Sequence, residues 1–339
     1  MLAQTTLLHL AHDYAERKVK ERPSLKAVVL TGSVARGEPA LGEAADLDII
    51  LIDDFIPDPS HEIVRLSDNV FVDAVFVRAA DYADRKSLRA HHFIAPALNE
   101  ALSLHDPRHY FDILQAAIRA PYNRPDNIYA RARSALATAQ RSIDRFSQRR
   151  EDAPLADPTL DDLEEYRQAL YQAGQSIILL SGQPGDTVGA RKFMARYEAA
   201  ARRHNPELYP LFLAAFGVGN LTPASFDIYL PEWSTLYKIA NGQGAVEPLI
   251  HPARRGYYER GFHALIAEGH ALNTLWLFEH TLATCVRHLD PVPDIWLGYL
   301  YSAGKSTGAE FAERTHHAEQ LVALTDTALT AWAKKENVE

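Results

Sequence analysis

A chain of 339 residues, 47% hydrophobic and 23% charged, has the composition of a globular protein, which excludes an extended disordered chain and leaves room for two packed domains. A formal net charge of −9 argues against a broad nucleic-acid footprint, because phosphate backbones are held by clustered Lys and Arg. It would attract a cationic small molecule at long range, although solubility alone explains such a charge in many enzymes.

The first eight residues lack a basic stretch ahead of an apolar core, and Asp13, Glu16, Arg17 and Lys18 follow at once, so no secretory signal is expected. Residues 5–20 carry Leu7, Leu8, Ala11, Tyr14 and Ala15 at helical spacing, and Pro23 ends that helix. Strands are predicted at residues 26–30, 47–52 and 69–77, the first broken by Thr31-Gly32-Ser33. From Ala79 onward helical periods dominate, first over residues 87–104 and 128–146. A polar stretch at 148–158 with two prolines precedes a long helix over 160–180, closed by Gly182 and Pro184. Further helices are predicted at 188–204, 207–216, 223–240, 257–268, 271–289, 294–303 and 309–335. The expected fold class is α+β: a small mixed-sheet domain at residues 1–120, then an all-helical domain at 121–339. Apolar runs such as 211–220 fall short of the roughly twenty residues that cross a bilayer, so a soluble protein is expected. The single cysteine, Cys285, rules out an intrachain disulfide and a multi-cysteine metal site, and fits a reducing cytoplasm.

Chemistry concentrates near the N-terminus. Asp46 and Asp48 flank Leu47 at the start of an apolar strand, and side chains two apart on a strand leave the same face about 6 to 7 Å apart. That spacing suits Mg²⁺, which takes few protein carboxylates and shares its other positions with waters and phosphates. Asp73 interrupts the apolar run Val70 to Val77. It either lies at an exposed sheet edge, pairs with an arginine, or shares a metal with Asp46 and Asp48. Gly32-Ser33 follows a strand and precedes a helix, where backbone N–H groups and a hydroxyl can hold a phosphate; an ordinary turn with Ser33 as cap is the alternative.

Taken together, Gly32-Ser33, then Asp46-Leu47-Asp48-Ile49, then Asp73 resemble the signature of the polymerase-beta superfamily of nucleotidyltransferases. The Gly32-Ser33-Val34-Ala35-Arg36-Gly37 version is most similar to minimal nucleotidyltransferases and aminoglycoside-type resistance enzymes. The likeness covers about residues 26–77, and it departs from the pattern where Ala44-Ala45 stand in place of a Ser before the first Asp. It implies a transfer of a nucleoside monophosphate from NTP to an acceptor hydroxyl with two Mg²⁺ ions. It further implies metal binding by Asp46, Asp48 and Asp73, and phosphate binding by Gly32 and Ser33.

Several other positions carry two readings. Arg36 touches a phosphate or caps its helix. Arg191-Lys192 reaches across the domain cleft or lies on a solvated helix face. Asp161, Asp162, Glu164 and Glu165 serve a helix N-terminus or line a site for a polyamine-like substrate. The His91-His92 and His316-His317 pairs diverge by about 100° per residue on helices and form no two-histidine metal grip. Trp233, Trp276, Trp296 and Trp332 read as core. The expected partners are NTP and a hydroxylated small-molecule acceptor, aminoglycoside-like or another metabolite, with no membrane and no nucleic acid. The alternatives are nucleotidylation of a protein or RNA, and a non-catalytic nucleotide sensor. Neither the base nor the oligomeric state is legible.

Overall fold

The computed structural model describes residues 3–182, 191–218, 220–222 and 224–338. Its first helix, α1 (Gln4–Glu21), buries Leu7, Ala11, Tyr14 and Ala15, one stripe at the spacing of three and four that an amphipathic helix requires. There follow β1 (Ala27–Thr31), α2 (Gly32–Ala35), β2 (Ala45–Asp53), β3 (His61–Arg65) and β4 (Val70–Arg78). Next come α3 (Arg85–Ala90), α4 (Ile94–Glu100), β5 (Leu102–His105) and α5 (Tyr110–Arg119). The five strands form one sheet in the order β3-β4-β2-β1-β5. β2 and β4 run parallel while the other pairs are antiparallel, which makes the sheet mixed.

Strand alternation distributes the core. Leu47, Ile49 and Leu51 pack with α1 on one face, while Ile50 and Ile52 pack with the α3–α5 layer on the other. Asp46 and Asp48 share the parity of Ile50 and therefore leave the sheet on that second face.

The continuous helix predicted over 87–104 is replaced by α3, a turn, α4 and β5. The Nδ1 of His91 accepts from the backbone N–H of both Phe93 and Ile94, which builds the turn. Leu102 to His105 pairs with β1 instead of extending the helix. The sequence reading also missed β3 and α5.

The rest of the described chain is helical: α6 (Pro125–Arg149), α7 (Leu160–Leu179), α8 (Phe193–His204), α9 (Leu208–Phe216), α10 (Ser225–Gly242), α11 (Arg255–Ala267), α12 (Thr274–Val286), α13 (Asp294–Ser302) and α14 (Gly308–Lys335). The predicted starts at 188 and 223, and Pro184, lie outside the described residues. Trp233, Trp276, Trp296 and Cys285 are buried in this region's core, and Trp332 packs at its edge. Lys305, between α13 and α14, is fully buried and donates to Glu279 at 2.6 Å. The Tyr299 hydroxyl donates to the same carboxylate oxygen at 2.5 Å. Among the described residues no helix is long and apolar enough to cross a membrane.

The helical and sheet regions interlock. Arg191 is buried, donates to the carbonyls of Leu41 at 3.2 Å and Ala44 at 3.4 Å, and lies 3.4 Å over the Tyr257 ring. At Gly42 (φ +63) an added Cβ would sit 2.3 Å from the Arg260 carbonyl oxygen, so only glycine lets this loop close against α11.

Candidate active site

Strand register sets the site. Thr31 of β1 stands opposite Asp48 of β2, and Asp48 stands opposite Asp73 of β4. Adjacent strands lie about 4.8 Å apart, so the Gly32-Ser33 turn and two carboxylates form a single row across three strands, with Asp46 one step along the same face. Gly32, Ser33, Asp46, Asp48 and Asp73 all line one cavity of about 450 Å³. His61, Phe93, Tyr171, Lys192 and Tyr257 are also among its lining residues. The structure thus brings the five residues singled out in the sequence into one cavity.

Gly32 has φ +75, and a Cβ there would lie 2.0 Å from Oδ2 of Asp48. The turn can ride against that carboxylate because the position carries no side chain. Burial, followed by the facing charges of Asp46 and Asp73, holds the Asp48 carboxyl well above the usual carboxylate range, with Arg254 and Arg36 pulling the other way. Burial pushes the Tyr257 pKa up, Arg191 opposes it, and the charges of Asp46 and Asp48 add to the rise.

Of the three readings left open for Asp73, the arginine partner is realised. Arg254, in the turn before α11, donates to Oδ2, and a ring nitrogen of His61 on β3 meets Oδ1. Arg254 also lies 5.4 Å from the Phe71 ring centroid and donates to the Tyr258 hydroxyl at 3.3 Å. With both Asp73 oxygens engaged, no group of three or more His, Cys, Asp or Glu among the described residues is arranged to hold a metal ion. Asp46 and Asp48 nevertheless offer hard oxygen donors, and the repulsion at Asp48 is charge that a divalent cation would relieve. A Mg²⁺ ion needs no more than one or two protein carboxylates beside substrate phosphates, so this pair fits it.

Arg36, Arg191 and Lys192 line the same cavity as the Gly32-Ser33 turn. Glu38 receives Arg36 at 2.7 Å, Lys192 at 2.5 Å and Arg196 at 2.7 Å, and Arg36 also reaches Glu100 at 2.8 Å. The solvated-face reading of Arg191-Lys192 is therefore corrected: Arg191 is buried against the sheet region and Lys192 lines the cavity, because a carbonyl pair and a carboxylate there await them. Burial raises the Glu38 pKa, but the Arg36 and Lys192 hydrogen bonds outweigh it and bring the group down from 4.5 to about 2. A folded-state pKa below the unfolded one contributes stability that is complete above about pH 4.5 and is lost as pH falls toward 2. Melting temperatures of the parent and of Glu38→Gln are expected to differ most near neutrality and to converge on acidification. Parallel curves down to pH 2.5 would disprove the cluster's role.

The acidic cluster lies elsewhere. Asp161 pairs with Arg287 at 2.6 Å, Asp162 closes the capping box of α7 with Thr159, Glu164 pairs with Arg167 at 2.5 Å, and Glu165 pairs with Arg145. None lines the cavity. The helix-terminus reading holds at Asp162, and the polyamine reading has no geometry behind it. His91 and His92 lie between α3 and α4 and stack at 5.2 Å, instead of diverging on the helix predicted there.

His61, Glu38, Phe93, Arg254 and Tyr257 escaped sequence reasoning. The dense cationic and aromatic string Arg254-Arg255-Gly256-Tyr257-Tyr258 was the signal available for two of them.

No protein-family model and no curated protein matches the sequence. Among solved structures the chain is similar to a nucleotidyltransferase-like protein from Exiguobacterium sibiricum 255-15, at 13% identity over 87% of this chain and 91% of that one. The TM-score of 0.32 is too low for that likeness to carry an argument about activity.

Proposed function

We propose that this chain transfers a nucleoside monophosphate from NTP to the hydroxyl of a small-molecule acceptor, releasing pyrophosphate. The observation that carries the reading is the row Gly32-Ser33, Asp48, Asp73 across three neighbouring strands, with Asp46 beside it in the same cavity. The Ser33 hydroxyl and the turn's backbone N–H groups hold the β- and γ-phosphates, and Lys192 and Arg36 border them. The acceptor oxygen forms a bond to the α-phosphorus while the bond to the bridging oxygen breaks. That electron pair leaves with pyrophosphate, and the hydroxyl proton passes to Asp73, which Arg254 and His61 hold in place. Mg²⁺ bound at Asp46 and Asp48 would neutralise charge developing on the phosphates.

One observation favours a second reading. With both Asp73 oxygens engaged by Arg254 and His61, the cavity also suits a protein that binds nucleotide without turning it over.

Pyrophosphate release from each NTP, with Mg²⁺ and a panel of hydroxylated small molecules, separates the two. Acceptor-dependent release that disappears on chelation is the expected result. Calorimetric binding of NTP with no release from any acceptor selects the sensor, and absence of both overturns the proposal.

A further inference from the structure

Resting on that reading of the cavity, we infer that a planar ring stacks on Phe93 over an apolar shelf built with Ile50, Val75 and Ala97. Ile50 lies two residues beyond Asp48 on β2, Val75 two beyond Asp73 on β4, and the two are register partners. The sheet face that carries the carboxylates therefore continues, about 6 to 7 Å further along each strand, as apolar surface. All four shelf residues line the cavity, yet Phe93 is 57% exposed and Val75 39%. Water in a concave apolar site is readily displaced by a flat, weakly polar group.

The ring of Phe93 is presented by a fixed backbone. His91 Nδ1 accepts from the N–H of Phe93 and of Ile94, both at 3.2 Å, and His92 Nδ1 meets the Ser134 hydroxyl of α6 at 3.0 Å. The Thr31 hydroxyl donates to the Ala97 carbonyl at 3.1 Å, which fastens α4 to the start of the Gly32-Ser33 turn. Shelf and phosphate turn thus form one unit, and little ordering remains to oppose binding.

The shared chemistry is a planar ring stacked on an aromatic face, supplied by the nucleobase or by an aromatic acceptor. The test is calorimetry of the full chain and of Phe93→Ala and Phe93→Trp with adenosine, 3,4-dihydroxybenzoate and tripolyphosphate. Phe93→Ala is expected to weaken one ring compound about tenfold while tripolyphosphate binding is unchanged and Phe93→Trp keeps parental affinity. Adenosine as the affected probe assigns the shelf to the nucleobase, and dihydroxybenzoate assigns it to the acceptor. Unchanged affinity for both rings, or equal loss of tripolyphosphate and of affinity in Phe93→Trp, overturns the inference. None of these measurements requires turnover, so ring binding without pyrophosphate release would retain the shelf and reject the transfer reading.

Discussion

Replacing Asp48 by asparagine is expected to lower pyrophosphate release on the order of a thousandfold or more while leaving the melting temperature at or above the parent's. The two effects share one cause. Asp48 is surrounded by burial and by the charges of Asp46 and Asp73, which hold its carboxyl well above the usual range, and Arg254 and Arg36 offset this only in part. A neutral amide of the same shape removes that repulsion from the folded state but also removes the charge that draws a cation. Sites assembled for chemistry commonly trade stability in this way. Melting curves with and without Mg²⁺ provide the second readout. A ligand a hundredfold above its Kd adds about 2.7 kcal/mol to a protein that binds it only when folded, so the parent should shift and Asp48→Asn should not. Parental turnover in Asp48→Asn would refute the assignment, and a melting point far below the parent's would refute the account of the charge.

Lys305→Met is expected to cost about 3 to 5 kcal/mol of stability without altering the cavity. Lys305 and Glu279 are 0% and 3% exposed, joined at 2.6 Å, with the ammonium 4.5 Å from the Phe216 ring centroid. Removing the cation strands a carboxylate whose remaining hydrogen-bond partner among the described residues is the Tyr299 hydroxyl. Adding Glu279→Gln should restore most of the loss, because the amide brings no uncompensated charge. Urea unfolding of the two single variants and the double variant measures this directly. A loss under about 1 kcal/mol for Lys305→Met, or no recovery in the double variant, would show that the pair does not behave as a buried ion pair.

The parts of the fold that follow from local pattern were legible. Asp46-Leu47-Asp48 announced its face through the two-residue period, and the stripe on α1 announced itself through the spacing of Leu7, Ala11 and Tyr14. β5 was not legible, because Leu102-Ser103-Leu104-His105 continues a helix-like run and becomes a strand only by pairing with β1, some seventy residues away. β3 hides for a related reason: His61-Glu62-Ile63-Val64-Arg65 is half polar, and β4 supplies its order. The site divided along the same line. Its carboxylates and glycine lie within one stretch of sequence, whereas the Arg254 contact to Asp73 spans 181 positions and the Lys192 contact to Glu38 spans 154. No period in the chain encodes such meetings.

The closure of the Gly42 loop on α11, together with the grip of Arg191 on the Leu41 and Ala44 carbonyls, bears on how the site discriminates. Lys192 and Tyr257 stand on the wall that these contacts fasten, so an arriving ligand meets a preorganised cavity and spends none of its affinity drawing two walls together. On the transfer reading, the walls that these contacts fasten need no substrate-driven closure among the described residues. Rejection of wrong substrates then falls to fixed shape and to the unmatched charges that a poor fit would leave behind.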